Sequence, residues 1–332
     1  MPGSFLVTGA SGFAGRHLLT ARHSHDGAVA LVRDRSAWSA QDWVADLDGV
    51  DTVEGSLTAT DSWVDQLPPL AGIFHFAALV RHSRIDAEEV YTTNVDGTLN
   101  VVRLAARHGC RVVMLSTSGA VGCFDSPDEV ADESAEFCEA TVANWPYYHS
   151  KIVAERKARE LADELGVELV FLRPPVLLGP GDHRYRSTAN ILRMLRGRLP
   201  FLIRGGMHFV DIRDVIAATW QAMKRPDVRP VYNLPGLASG IEEFFGMVAD
   251  VSGARAPRWV LPYGLAHSIA AADEWIGMRL KGKPLHVFPG PVVVEMASHY
   301  WGLESLYAKS DLGYESRDPL VTLRDTVDWL RR

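Results

Sequence analysis

Three cysteines in 332 residues, Cys110, Cys123 and Cys138, are too few and too irregularly spaced for a disulfide framework or a structural zinc site. None forms a CxxC pair and the number is odd, so a reducing, cytoplasmic compartment is expected. Basic charge is short as well: 34 Lys and Arg stand against 41 Asp and Glu, leaving a net charge of −7. A surface that follows a nucleic acid needs an excess of cations to displace counterions, and this chain has none. Long apolar runs are missing too. The longest, such as Val292 to Val294 with its flanking prolines, fall far below the roughly 20 residues that cross a bilayer. The start of the chain runs straight into an apolar stretch, without the charged, apolar and small-residue regions of an export signal. Twelve histidines include no HExxH and no helical pair with a carboxylate partner, so no catalytic metal is expected.

What is present is the composition of a folded, enzyme-sized body, 47% hydrophobic and 23% charged. The length suits one large core and a second, smaller lobe. Short β-branched runs alternate with longer helical patterns in the first half. Phe5 to Val7, Ala28 to Val32, Ile73 to Phe76, Val112 to Leu115 and Leu169 to Leu172 read as strands. Phe13 to Ala21, Ala87 to His108 and Tyr147 to Leu165 read as helices without internal proline. That rhythm predicts βαβ units around a parallel sheet. After Arg173, frequent prolines separate shorter pieces, and no repeat or low-complexity tract appears. The expected fold is α/β: a Rossmann doubly wound sheet over 1–173, rejoined by about 207–235, with 174–332 mainly a smaller α/β substrate lobe.

The first strand leads into Thr8-Gly9-Ala10-Ser11-Gly12-Phe13-Ala14-Gly15 and then a helix. Glycines allow a tight turn and close approach of a pyrophosphate, and the helix N-terminus supplies N–H groups and the positive end of its dipole. The spacing is GxxGxxG, and a plain turn is the competing reading. The second strand ends at Arg33, where an acidic residue would bind a ribose 2′-hydroxyl and an arginine a 2′-phosphate. NADP(H) is therefore favoured, and NAD(H) stays possible because Asp34 follows at once and Arg33-Asp34-Arg35 could equally be a solvated charge cluster.

Tyr147-Tyr148-His149-Ser150-Lys151 puts Tyr147 and Lys151 one helical turn apart on one face. An ammonium there favours the phenolate of a tyrosine whose ordinary pKa is about 10, which suits proton exchange with a substrate oxygen. A surface helix would carry the same spacing. Ser116-Thr117-Ser118 closes a strand at the end where open α/β sheets bind ligands, so a hydroxyl could reach the reacting oxygen, or all three could simply cap a turn. His75, in an apolar strand, is read as a core residue with no catalytic role. The second lobe's Trp259, Tyr263, Trp275, Phe288, Tyr300 and Trp301 are expected mostly in its core, with some lining an apolar pocket.

Taken together the chain resembles the extended short-chain dehydrogenase/reductases, the NAD-dependent epimerase/dehydratase superfamily, over nearly its whole length. Besides the motifs above, His75-Phe76-Ala77-Ala78, Asn94-Val95-Asp96-Gly97-Thr98, Ala154-Glu155, Arg173-Pro174-Pro175, Gly179-Pro180-Gly181-Asp182, Phe209 to Val215 and Asp311-Leu312-Gly313-Tyr314 carry the likeness. The resemblance implies Ser118, Tyr147 and Lys151 as catalytic residues, with Tyr147 the general acid/base and Lys151 binding the nicotinamide ribose. It implies cofactor contacts from Gly9, Ser11, Gly12, Phe13, Ala14, Gly15, Arg33, Ser56, Leu57, Ala77, Ala78, Pro174 and Val176, besides Tyr147 and Lys151. Asn94 would support the active-site helix, and paired helices Asn94 to His108 and Tyr147 to Leu165 would form a homodimer. Val121-Gly122-Cys123 where sugar-nucleotide enzymes have Val-Tyr-Gly, and Arg33 where they have an acid, set this chain apart from them. Ser56 replaces a common aspartate, which puts adenine recognition in question. The Val32-Arg33-Asp34 run resembles dihydroflavonol reductases, and the region from Tyr300 resembles 3β-hydroxysteroid dehydrogenases and hopanoid-associated reductases. The implied activity is NADP(H)-dependent interconversion of a ketone or aldehyde and an alcohol on a fairly apolar small molecule. The alternatives are a nucleotide-sugar epimerase or dehydratase with bound NAD, and a non-catalytic dinucleotide sensor.

Overall fold

A computed structural model describes residues 3–23, 26–285 and 287–332. Its strands, in chain order, are β1 (Ser4–Thr8), β2 (Ala28–Val32), β3 (Val50–Glu54), β4 (Leu70–His75), β5 (Arg111–Leu115) and β6 (Leu169–Arg173). They continue as β7 (Val176–Leu178), β8 (Phe201–Ile203), β9 (Gly206–Asp211), β10 (Val231–Asn233), β11 (Leu237–Gly240) and β12 (Trp259–Leu261). Seven of them form one sheet in the order β10-β6-β5-β4-β1-β2-β3, with every pairing parallel. The chain winds outward through β2 and β3, then returns across β1 to start β4 on its other side. This is the Rossmann topology, and the reversal between β1 and β4 opens a crevice at their carboxyl ends.

Every residue of β2 and of β6 is buried, as expected where helices cover both faces of a parallel sheet. One face packs against helices Phe13–Ala21 and Ile212–Lys224 through Leu18, Leu19, Val215 and Ile216. The other packs against Gly97–His108 and Pro146–Leu165 through Val101, Leu104, Ala158 and Ala162. β3 escaped the sequence reading because Val50-Asp51-Thr52-Val53-Glu54 is an edge strand whose charges face solvent.

The predicted helix from Ala87 to His108 is helical throughout, but Thr92–Asp96 forms a wider π turn between two α segments. Such turns cluster at functional sites, and this one holds Asn94. Beyond the large sheet, β9 sits between β7 and β11, and β8 pairs with β12. Phe209, Phe244, Val248, Leu323 and Val327 form the core beside them.

One expectation fails here. Trp259, Tyr263 and Trp275 are exposed, while Phe288, Tyr300 and Trp301 are only partly buried. The helix that carries Tyr263 and Trp275, Tyr263–Lys281, packs through the small residues Ala266, Ala270 and Gly277 and turns its large side chains outward.

Candidate active site

β1 delivers Gly9 into the crevice with φ of +70°, a left-handed conformation that a side chain would strain. A Cβ on Gly9 would also lie 2.7 Å from the Ala77 nitrogen, so glycine lets the loop press against the end of β4. Gly12 precedes helix Phe13–Ala21 as an N-cap that makes no side-chain hydrogen bond, which leaves that helix end for an anionic ligand. Ala77 N–H donates to the Thr8 hydroxyl at 3.2 Å, tying the two loops that flank the crevice.

A strap from the second half of the chain crosses this loop. His17 Nε2 meets the Pro180 carbonyl at 2.8 Å, and Gly181, at φ of +99°, turns the chain above it. The buried Asp182 carboxylate accepts from the N–H groups of Arg186, Ser187 and Thr188 and from the Thr188 hydroxyl, which folds the next turn. At its tip Arg184 Nη2 donates to Ser11 Oγ at 3.2 Å. The motif from Gly179 to Asp182 is legible in the sequence and Arg184 is not part of it; a cation two residues beyond that glycine motif is the available signal.

The charge cluster after β2 separates into three jobs. Asp34 caps helix Arg35–Ser39, accepting from Ala37 N–H at 2.9 Å. Arg35 is held at β3 by the Thr52 carbonyl and by Glu54. Arg33 is exposed and has no polar partner among the described residues. Leu57 is buried and its carbonyl accepts from Asn100, while the Ser56 carbonyl accepts from Trp63 and its hydroxyl pairs with Thr58.

The hydroxyls after β5 separate in the same way. Ser116 donates to the buried Glu155 carboxylate at 2.9 Å, and Thr117 caps the turn by accepting from Gly119 N–H at 3.2 Å. Ser118 Oγ has no partner among the described residues, while its N–H donates to the Pro174 carbonyl at 2.9 Å. That bond joins Ser118 to the segment carrying Pro174 and Val176.

Helix Pro146–Leu165 is fixed against this end of the sheet. Asn94 holds the Leu79 N–H and carbonyl and donates to Ser150 Oγ at 2.9 Å. Lys151, almost fully buried, donates to the Leu115 carbonyl at 2.8 Å. Burial pushes its ammonium down to about 8, against the opposing pull of Glu155.

The phenol of Tyr147 differs from expectation: burial pushes it up to about 12 rather than the ammonium drawing it down. Desolvation of the phenolate is the cause, so Tyr147 stays protonated at neutral pH. Its Oη has no partner among the described residues.

His75 is a satisfied core residue, with Nδ1 2.7 Å from the Thr8 hydroxyl and Nε2 3.0 Å from that of Thr98. Burial, with Lys151 adding to it, lowers it to about 3. Around the tyrosine stands an aromatic wall, of which the sequence singles out Trp301 as a pocket candidate but neither His82 nor Tyr148 in that role. Tyr148 is stacked between His82, at 5.9 Å, and Trp301, at 5.4 Å, and His82 meets Tyr147 edge-on at 5.5 Å. Gly119 makes room for it, since a Cβ there would enter the Tyr148 ring.

Known proteins resemble this chain in sequence and fold. The model of a family described as "NAD dependent epimerase/dehydratase family" matches residues 5–234. A putative dihydroflavonol 4-reductase of Synechocystis sp. is 29% identical, covering 100% of this chain and 95% of its own length. Sterol demethylase protein B of Methylococcus capsulatus is 28% identical, covering 98% of both chains. Among solved structures, gox2253 is 27% identical with a TM-score of 0.81, over 99% of this chain and 98% of the other. MoeE5, in complex with UDP-glucose and NAD, is 26% identical with a TM-score of 0.74, over 99% of each chain.

Proposed function

This chain belongs to the NAD dependent epimerase/dehydratase family as an NAD(P)-dependent enzyme of the extended short-chain dehydrogenase/reductase type, and we propose that it is an NADPH-dependent reductase of a ketone or aldehyde on a fairly apolar small molecule. The observation that carries this reading is the state of Tyr147, a half-buried phenol pushed up to about 12 by burial, whose oxygen, like the Ser118 hydroxyl, has no partner among the described residues. A protonated tyrosine is ready to give a proton, which carbonyl reduction requires and alcohol oxidation does not. The glycine cradle and uncapped helix end fit a dinucleotide pyrophosphate, Arg184 adds a cation beside it, and Arg33 is free for a 2′-phosphate.

When bound, the reduced nicotinamide supplies one hydride to the carbonyl carbon and leaves oxidised. Ser118 donates a hydrogen bond to the carbonyl oxygen and so polarises it. Tyr147 Oη delivers the proton to that oxygen, which completes the alcohol. Lys151 holds positive charge beside the phenol as it loses its proton, and Asn94 keeps the helix in register. Residues 1–173 would hold the dinucleotide and 174–332 mainly the substrate.

Reductases among the relatives favour this reading; a nucleotide-sugar complex among the structural neighbours keeps the epimerase as the second one. Absorbance of the reduced nicotinamide separates them. NADPH consumed in step with alcohol formed from an apolar ketone is the expected result. Purified protein that carries tight NAD and interconverts a nucleotide sugar without added cofactor would overturn it. The same reading includes a cytoplasmic homodimer through the helices from Asn94 and Tyr147, and a monomer by light scattering at micromolar concentration would refute that assembly.

A further inference from the structure

Nine of the fifteen exposed large apolar side chains among the described residues fall between residues 259 and 287, a concentration along one stretch of the chain. Helix Tyr263–Lys281 is its centre. Leu265, Ile269, Ile276 and Leu280 stand at spacings of four, seven and four residues, which places them on one stripe of the helix. Ala266, Ala270 and Gly277 occupy the adjoining, buried side about a quarter-turn away, where Ala266 and Ala270 pack with Ile203 and Val294. The helix thus packs inward on small residues and presents large ones to solvent, the reverse of a helix meant only to cover a core. Trp259 is 75% exposed, Trp275 65% and Val287 85%, which adds large apolar surface on and beside the same helix.

The charge of the same surface decides what covers it. Arg255, Arg258, Arg279, Lys281 and Lys283 are exposed, whereas Asp273 and Glu274, the two acids of residues 253–287, are half-buried. A chain of net charge −7 has therefore collected a cationic rim around its main exposed apolar face. Lys and Arg beside Trp, Leu and Ile on one surface match an interface of anionic headgroups over acyl chains. No described helix is long and apolar enough to cross a membrane, so the contact is peripheral.

We propose that helix Tyr263–Lys281 and its flanks dock this protein onto an anionic lipid bilayer. The apolar stripe enters the headgroup region and the basic rim holds the acidic headgroups, which sets the enzyme where an apolar substrate partitions. Docking does not depend on the reductase reading and is tested apart from it.

The full chain is sedimented with vesicles of phosphatidylglycerol and phosphatidylcholine, and with phosphatidylcholine alone, at low and high salt. Binding at least tenfold stronger to the anionic vesicles, and weakened by salt, is expected. The double variant Trp275→Glu/Leu280→Glu should lose about tenfold or more on both compositions. Arg279→Glu/Lys281→Glu should lose about tenfold on anionic vesicles alone, and it leaves the apolar stripe intact should the first variant misfold. Retained thermal midpoints confirm folded variants. Equal, negligible binding to both vesicles overturns the proposal. A dimer in solution that Trp275→Glu dissociates also overturns it, by assigning the face to a second copy of this chain.

Discussion

Ser116 and Glu155 lie 39 residues apart, yet the Ser116 hydroxyl donates to the Glu155 carboxylate at 2.9 Å inside the core. This bond withdraws Ser116 from the cleft and ties the end of β5 to the helix that carries Tyr147 and Lys151. Arg173, on β6, and Arg159 pair with the same carboxylate. Glu155→Ala should destabilise the protein by about 3–5 kcal/mol, because Arg173 would be left buried without its counter-charge. Urea denaturation measures it, and a loss under about 1 kcal/mol would deny the network its structural role.

The same carboxylate makes a statement about acid. Burial opposes its ionisation, but Arg173 and Arg159 outweigh burial and hold it below the ordinary carboxylate range. A depressed folded-state pKa contributes stability above the unfolded value and loses it as pH falls through the folded one. Urea midpoints should therefore decline below about pH 4.5 in the native chain. Glu155→Gln should flatten that acid limb, and an unchanged limb would place the titration elsewhere.

Tyr147→Phe should lower turnover by about 10²–10⁴, the range for loss of a positioned acid, while NADPH affinity changes little. Ser118→Ala should reduce turnover with a smaller effect, since it removes a hydrogen bond and not the proton. Ser116→Ala, by contrast, should act on stability. Stopped-flow oxidation of NADPH with an accepted ketone resolves the three, and near-native turnover in the phenylalanine variant would dismiss Tyr147 as the acid.

Lys151 predicts the alkaline side of the pH profile. Its ammonium, pushed down to about 8 by burial, is charged below that pH and neutral above it. In free enzyme kcat/KM for NADPH should hold through neutrality and fall as pH rises past about 8. Tyr147, at about 12, adds no limb in between. A profile flat to pH 10 would contradict the assignment.

Two arginines should divide the dinucleotide between them. Arg33→Ala should narrow the preference for NADPH over NADH by about tenfold, since a charge-assisted bond to phosphate is worth on the order of 1.5–3 kcal/mol and this one is exposed. Arg184→Met should weaken NADPH, NADH and ADP-ribose alike, because all share the pyrophosphate beside Ser11. Calorimetric titration compares them. Native protein that binds NADH as tightly as NADPH would refute the role of Arg33.

The sequence alone carried whatever depends on short-range spacing. Strand, glycine turn and helix from Ser4 to Ala21 were legible because the turn needs glycine and the flanks need apolar periodicity within a few residues. The one-turn relation of Tyr147 and Lys151, and the buried β2 and β6, were legible for the same reason. β3 was not, since an edge strand can carry charge on its open side and loses the apolar signal. Tertiary structure decided which of several equivalent side chains is spare. Ser116, Thr117 and Ser118 look alike in the chain, and only Glu155 and the turn at Gly119 take two of them away from the cleft. Arg33, Asp34 and Arg35 were likewise one charge cluster until a helix cap and β3 claimed two of the three. Spacing fixed where Tyr147 stands relative to Lys151, but its protonation was set by desolvation, a sum over neighbours far apart in the chain. The outward turn of Trp275 was decided the same way, because small residues on the opposite side of helix Tyr263–Lys281 give that side the closer fit to the core.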